Sequence, residues 1–242
     1  MGKITTTVFT FGGGKNITRR HLPIWREHSD DVLLVFPEDD PCVIADTPLI
    51  SHEISNKFGL PCLRRQLFGM KAALRYAADY YVFTEYDGFM LKRPESRSEI
   101  QANVFWDPPG RFHAGYFTHF PWVFPAALLE EFCAKASLEP FEEGFVDRWL
   151  AAQLGKLGMP VFNLQESGEG YSRNSIESPE EINEMLAKVK NGAYAFHGIK
   201  DAKLLSSVLG ASSQSHLTMA PSLGIEGKNT CWNRLSSKGR RS

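Results

Sequence analysis

Glu85 and Asp87 stand two residues apart at the end of the run Tyr80-Tyr81-Val82-Phe83-Thr84. Aromatic and β-branched side chains fill that run, which suits a buried strand. Residues i and i+2 of an extended chain point the same way, so both carboxylates project together from the strand's C-terminal edge. Ligands of open α/β sheets bind at that edge. Two adjacent carboxylates repel unless a cation or a proton sits between them. A hard divalent ion with oxygen ligands, Mg²⁺ or Mn²⁺, suits the pair. Gly88 then permits a sharp turn or the close approach of a ligand. A strand closed by a solvated acidic turn is the plainer reading of the same residues.

Four further features bear on that choice. His197-Gly198-Ile199-Lys200 follows a short apolar run and offers an imidazole as a third metal ligand and an ammonium for a diphosphate. The loop from Thr10 to Lys15, with Phe11 and Gly12-Gly13-Gly14, follows the first apolar run, where backbone N–H groups can meet a nucleotide. It contains neither a Walker A motif nor G-x-G-x-x-G, and a plain strand-to-helix turn accounts for it as well. Arg64, Arg65 and Lys71 fall near the start of a helix, where cations oppose the dipole and an anion would compensate. Glu142-Glu143-Gly144-Phe145-Val146-Asp147 precedes and enters another helix. A carboxylate is welcome in a first helical turn for structural reasons alone, and it can also serve as a general base.

The order of these features resembles a small nucleotide-sugar glycosyltransferase of the GT-A fold. Glu85-Tyr86-Asp87 is similar to that family's Asp-x-Asp motif, which binds Mn²⁺ or Mg²⁺ and the sugar-nucleotide diphosphate. Gly69-Met70-Lys71-Ala72-Ala73-Leu74 is similar to its helix before the motif, and His197-Gly198-Ile199-Lys200 to its late His-Gly-Lys element, with tighter spacing. The resemblance spans about Ile4 to Lys200. It implies Asp87, Glu85 and His197 at the metal, with Asp87 the more direct ligand. Glu85 stands where the family usually has Asp, so it is expected to reach the ribose or a metal-bound water as well. The donor, expected to be a UDP-sugar, would meet Thr10, Phe11, Gly12, Asp39, Arg65, Lys71, Tyr86 and Lys200. Asp147 and Glu143 fall in the slot of an acceptor-facing acid. His113, Tyr116 and Trp122 would line the cleft for a glycan or other hydroxyl acceptor, and His119 is a second imidazole in that segment. The expected reaction is sugar transfer, with inversion favoured and Asp147 as base; a retaining reaction needs no such base. Sugar-phosphate nucleotidyl transfer and non-catalytic binding of nucleotide sugars or glycans are the alternatives.

These residues need a scaffold, and the chain supplies an alternation of strand and helix. Ile4 to Phe11 and Val32 to Phe36 read as strands, with a helix over Ile17 to His28 between them. Cys42 to Ala45 reads as a short third strand, Ser51 to Phe58 as a short helix, and about Arg65 to Ala78 as a longer one. In the second half, Phe112 to Phe117, Pro160 to Leu164 and Ala193 to Phe196 read as strands. Ala126 to Ala136 and Val146 to Leu157 read as helices, and Ser178-Pro179-Glu180-Glu181 as a capping box opening another. The fold class is α/β: a GT-A-like, Rossmann-type mixed, mostly parallel sheet flanked by helices in a single domain. Right-handed crossovers would bring the glycine loop, Glu38-Asp39-Asp40 and the Glu85/Asp87 pair to one edge. That domain is expected over residues 1–205. Residues 206–242, Ser-rich and basic at the end, read as a flexible tail.

Composition sets the outer limits. With 242 residues, 43% hydrophobic and 23% charged, the chain is of ordinary globular character. Its 27 Lys and Arg balance 28 Asp and Glu, a net charge of -1, which argues against nucleic acid as a partner. The four cysteines form no C-x-x-C pair, so free thiols in a reducing compartment are expected. Neither a signal segment nor a transmembrane stretch is expected from the residues given, although Met1-Gly2-Lys3-Ile4-Thr5-Thr6 fits the loose myristoylation pattern. A cytoplasmic location is the expectation.

Overall fold

The computed structural model describes residues 2–44, 47, 49–52, 59–107, 115–138, 146–173 and 176–215; at 49–52, 107 and 213–215 only the backbone is described. The elements run β1 (Ile4–Phe9), α1 (Lys15–His28), β2 (Asp31–Pro37), β3 (Leu49–His52), α2 (Leu60–Ala73), β4 (Tyr80–Glu85), β5 (Phe89–Met90), β6 (Ile100–Asp107), β7 (Gly115–Pro125), α3 (Ala126–Lys135), α4 (Val146–Leu157), β8 (Val161–Asn163), α5 (Leu164–Ser167), β9 (Gly170–Ser172), α6 (Pro179–Lys190), β10 (Ala195–His197) and α7 (Ala202–Ser215).

The main sheet has seven strands in the order β3-β2-β1-β4-β7-β6-β8. β3, β2, β1 and β4 are parallel neighbours, as are β6 and β8, while β7 runs antiparallel to both β4 and β6. The central strands are buried on both faces because successive side chains enter different cores. Phe9, Leu33 and Val35 join Leu63, Leu67 and Met70 of α2, Phe132 of α3 and Trp149 of α4. Val8, Val32 and Leu34 join Leu22 and Trp25 of α1, Met185 of α6 and Val208 of α7. The result is a helix–sheet–helix sandwich, the mixed α/β single domain expected.

From β1 the chain steps to β2 and β3, then returns to place β4 on the other side of β1. Such a reversal leaves a crevice beyond the C-terminal ends of the two strands. A second sheet, β5-β10-β9, lies beside that crevice.

Some boundaries differ from the sequence reading. Residues 42–44 form no strand; Cys42 and Ile44 are buried anchors of a connection. Ser51 and His52 belong to β3 rather than a helix, and residues 53–58 lie outside the described ones. α2 begins at Leu60, because Pro61 opens its first turn, where a missing N–H costs nothing, and does not end a preceding helix. The segment read as tail from 206 is helical to Ser215, and Val208 is fully buried against the core. Its serines hid the Leu204–Val208 spacing that seats the helix. The capping box is present: Ser178 Oγ accepts from the Glu181 N–H at 3.2 Å, and Glu181 accepts from the Ser178 N–H at 3.1 Å. Cys42, Cys62 and Cys133 are free and buried. Among the described residues no helix is long and apolar enough to cross a membrane.

Candidate metal centre

β4 carries Glu85 to the crevice, and three elements pin the turn that follows. The Tyr86 N–H donates to Phe9 O at the end of β1, Ile199 N–H donates to Asp87 O from beyond β10, and Trp25 Nε1–H of α1 donates to Gly88 O. The turn is therefore rigid before any ligand arrives. Directly after it, Phe89 of β5 pairs with Phe196 of β10, which sets His197 beside the carboxylates. Gly88 is what permits this approach. A Cβ there would collide with Thr84 Oγ1 and meet Phe196 O at 3.2 Å and His197 Cδ2 at 3.4 Å.

His197 Nε2 lies 3.3 Å from Glu85 Oε2 and 3.4 Å from Asp87 Oδ1, and ligand atoms of all three residues fall within 4.8 Å of one another. The Asp87 side chain is 3% exposed, that of Glu85 36%. Lys200 Nζ stands 3.5 Å from Asp87 Oδ2. Burial opposes ionisation of Asp87, but the His197 and Lys200 charges outweigh it and hold the carboxyl below the usual range. Burial likewise opposes charging of His197, yet Asp87 and Glu85 lift its imidazole to about 10. Without a metal, a proton holds the two acids together.

The fit to a divalent cation rests on Asp87 Oδ1. It is a buried oxygen that makes no hydrogen bond of good geometry, its ion-pair partner His197 Nε2 standing at 3.4 Å, and it borders the space shared with Glu85 and His197. A buried acceptor left so is costly unless something else satisfies it. Two carboxylates and one imidazole form a donor set that a divalent cation can share.

A chain of polar contacts, hydrogen-bonded as far as His119, leads from the triad toward Asp147. His197 Nδ1 contacts Ser172 Oγ at 3.3 Å, Ser172 Oγ contacts His119 Nδ1 at 2.9 Å, and His119 Nε2 lies 3.9 Å from Asp147 Oδ2. Asp147 sits in the first turn of α4 with its side chain 26% exposed. Burial, reinforced by the Glu85 charge, pushes its carboxyl up to about 8. A cation at the triad would cancel the Glu85 contribution and ease ionisation of Asp147.

No protein-family model matches this chain, and no curated protein matches its sequence. Among solved structures it is similar to 4-diphosphocytidyl-2C-methyl-D-erythritol synthase from Anaerococcus prevotii, with 15% identity, 66% of this chain and 87% of that chain covered, and a TM-score of 0.42. At that score the likeness carries no argument about activity.

The structure brings only part of the expected donor set to the crevice. Phe11 and Tyr86 form an edge-to-face pair with centroids 5.1 Å apart, over Gly14, whose Cβ would touch the Tyr86 ring. The loop's amides are largely committed elsewhere. Thr10 N–H donates to Val35 O, Gly12 N–H to Asp40 O, Gly14 N–H to Phe11 O and Lys15 N–H to Gly12 O. Thr10 Oγ1 is buried against Thr18 Oγ1 at 2.7 Å, so Thr10 anchors the loop. Asp39 is exposed in the turn beside Gly12. Arg65 is buried on the N-terminal half of α2; it, Glu85 and Asp147 all act electrostatically on Cys62, so that end of α2 faces the carboxylate edge. Lys71 is instead exposed in the last turn of α2, because the helix starts earlier than its periodicity suggested, and this carries it away from that edge.

Of the acceptor residues, Tyr116 is half-buried on β7 and packs against Trp106, which is 57% exposed. Trp122 is fully buried and stacked on Phe120 in the core, so it offers no face to a ligand. β7 is buried on both faces from Phe117 to Phe124, so either face would bury it. His113 and Glu143 lie outside the described residues. Ser172 and Trp106 escaped the sequence reading. Ser172 ends a three-residue strand that shows no periodicity, whereas the tryptophan at the end of a strand before Pro108-Pro109 was a visible signal.

Proposed function

We propose that this chain is a divalent-metal-dependent transferase acting at a nucleotide diphosphate, and that within this class it transfers a sugar to a hydroxyl acceptor. The observation that carries the proposal is the convergence of Glu85, Asp87 and His197 at the switch-point edge, from segments separated by 112 residues. A bound Mn²⁺ or Mg²⁺ would supply charge neutralisation for a departing diphosphate. Asp87 and His197, held by the pinned turn and β10, would fix its place, while the more exposed Glu85 keeps contact with the crevice. Lys200 and Arg65 add positive charge at the same edge. The Phe11–Tyr86 pair offers aromatic surface to a nucleotide base, with UDP-sugars the expected donors. Asp147 is placed to take a proton from the acceptor hydroxyl in an inverting reaction. Tyr116 and Trp106 give that acceptor aromatic faces for sugar C–H surfaces.

Sugar-phosphate nucleotidyl transfer is the second reading, since the same edge and the same triad would serve it. The loop after β1 argues against it: amides that would cradle a triphosphate at Thr10, Gly12 and Gly14 already donate within the protein. The products separate the two. Purified protein is incubated with Mn²⁺ and a panel of nucleotide sugars, and separately with nucleoside triphosphates and sugar 1-phosphates. Release of a nucleoside diphosphate in the first set supports glycosyl transfer. Release of pyrophosphate in the second supports nucleotidyl transfer. Donor binding with neither product would reduce the chain to a binding module.

A further inference from the structure

We propose that Ser172 is a positioning residue of the metal centre, sharing its hydroxyl between His119 and His197 so that Nε2 of His197 stays open toward Glu85 and Asp87. This inference rests on the metal reading above and concerns residues outside the ligand set.

The proton count at three atoms carries it. For His197 Nε2 to hold a cation between the carboxylates, its lone pair must be free, so the ring proton must reside on Nδ1. A buried Nδ1–H needs an acceptor, and Ser172 Oγ lies 3.3 Å away. The hydroxyl has one proton of its own, and His119 Nδ1 at 2.9 Å accepts it. That assignment places the His119 proton on Nε2, facing Asp147 Oδ2 at 3.9 Å. Each donor in the path then faces an acceptor. The reverse order would aim the hydroxyl proton at His197 Nδ1 and put a proton on Nε2, where the cation has to bind.

The three side chains of the path are shut away from solvent. Ser172, His119 and His197 are 1%, 7% and 6% exposed, and the rings of Phe117 and Phe120 pack around the two imidazoles. Ser172 and His197 are register partners in the parallel pairing of β9 with β10, which fixes their relative height. On the opposite ring edge, His197 Cδ2 faces Gly88, and Thr84 Oγ1 and Phe196 O border the same position. A half-turn of the ring about its long axis would present carbon to Ser172 and carbon to the carboxylates. The hydroxyl therefore distinguishes the binding orientation from the flipped one.

The test is calorimetric titration of Mn²⁺ into the wild type and Ser172→Ala, with the melting midpoint of each metal-free protein as control. The expected result is a Kd weakened about 10- to 100-fold in Ser172→Ala, the usual range for loss of an outer-sphere partner. An unchanged Kd, whatever the midpoint does, overturns the positioning role. No binding by the wild type overturns the metal reading and this inference with it. If Ser172→Ala does not fold, long-range proton–nitrogen correlation on the wild type with Mg²⁺ gives the answer. A His197 ring protonated at Nδ1 and bare at Nε2 supports the assignment; a proton on Nε2 or a bare Nδ1 overturns it.

Discussion

The Nε2 atom of His197 stands 3.3 Å from Glu85 Oε2 across 112 residues of chain. Neither residue's own strand explains the meeting. It depends on β5, two residues long, which leaves the carboxylate turn and pairs at once with β10. The imidazole thus reaches a pair of acids that would otherwise repel each other, and the same position suits a metal ligand. The function argued above depends on this arrangement.

Gly88 should tolerate no side chain. A Cβ there presses on Phe196 O and the His197 ring, and the backbone oxygen cannot swing away. Gly88→Ala is expected to cost about 1–3 kcal/mol, as overpacking does, and to weaken Mn²⁺ binding by displacing His197. Chemical denaturation and metal titration together check this. A variant of wild-type stability and affinity would show that the approach of β10 to the turn is not tight.

Metal affinity should rise with pH. The two carboxylates hold His197 protonated up to about 10, against an ordinary 6.5. A cation must displace that proton, so affinity is expected to increase about tenfold per pH unit over the neutral and mildly alkaline range. One proton should be released for each ion bound. Titration in buffers of different ionisation enthalpy measures it, and a pH-independent Kd would remove His197 from the site.

His21 should make the protein acid-sensitive. Its Nδ1–H donates to Ile17 O at 2.9 Å, and its buried Nε2 has no hydrogen-bond partner. Burial pushes the imidazole below 6.5, with the Ile17 bond and the Asp87 charge opposing this less strongly. The unfolded chain therefore takes up the proton first. Stability is fully present above 6.5 and lost as pH falls from there toward the lower folded value. His197, shifted the other way, gains stability as pH falls to 6.5 and is level below it. The difference between wild type and His21→Leu isolates the His21 contribution. Denaturation between about pH 8 and pH 5 should show a smaller acid loss in the variant.

Asp147→Asn separates the stereochemical options. If Asp147 takes the acceptor proton, kcat should fall about 100-fold or more with donor KM little changed. A wild-type rate would exclude it as the base and point to retention. Trp122 offers a contrast. Being fully buried, Trp122→Phe should lower stability and leave acceptor KM alone, whereas Tyr116→Ala should raise that KM without a comparable loss of stability.

Runs of β-branched and aromatic residues made β1, β2 and β4 legible, because strands buried on both faces need unbroken apolar sequence. Their shared edge followed from handed crossovers, and with it the place of Glu85 and Asp87. β5 and β9 were not legible, since two or three residues hold no period. β6 was hidden by Gln101 and Asn103, polar residues that are fully buried. Gln101 Nε2 donates to Glu95 O, and Asn103 Nδ2 to Phe120 O. Ser172 became a candidate only when tertiary contacts set it between two imidazoles. Trp122 shows the converse: an aromatic that suits sugar recognition equally suits a core, and residue type alone does not choose between them.

Acids after β4 and an imidazole at the end of β10 must hold one cation if this reading is right. Electron spin-echo modulation of Mn²⁺ bound to the protein tests it directly, because a coordinated imidazole imprints its nitrogen on the echo. The wild type should show that nitrogen signal, His197→Gln should lose it, and Asp87→Asn should lose the bound ion. Bound Mn²⁺ with no nitrogen modulation, or the same modulation in His197→Gln, would contradict the account.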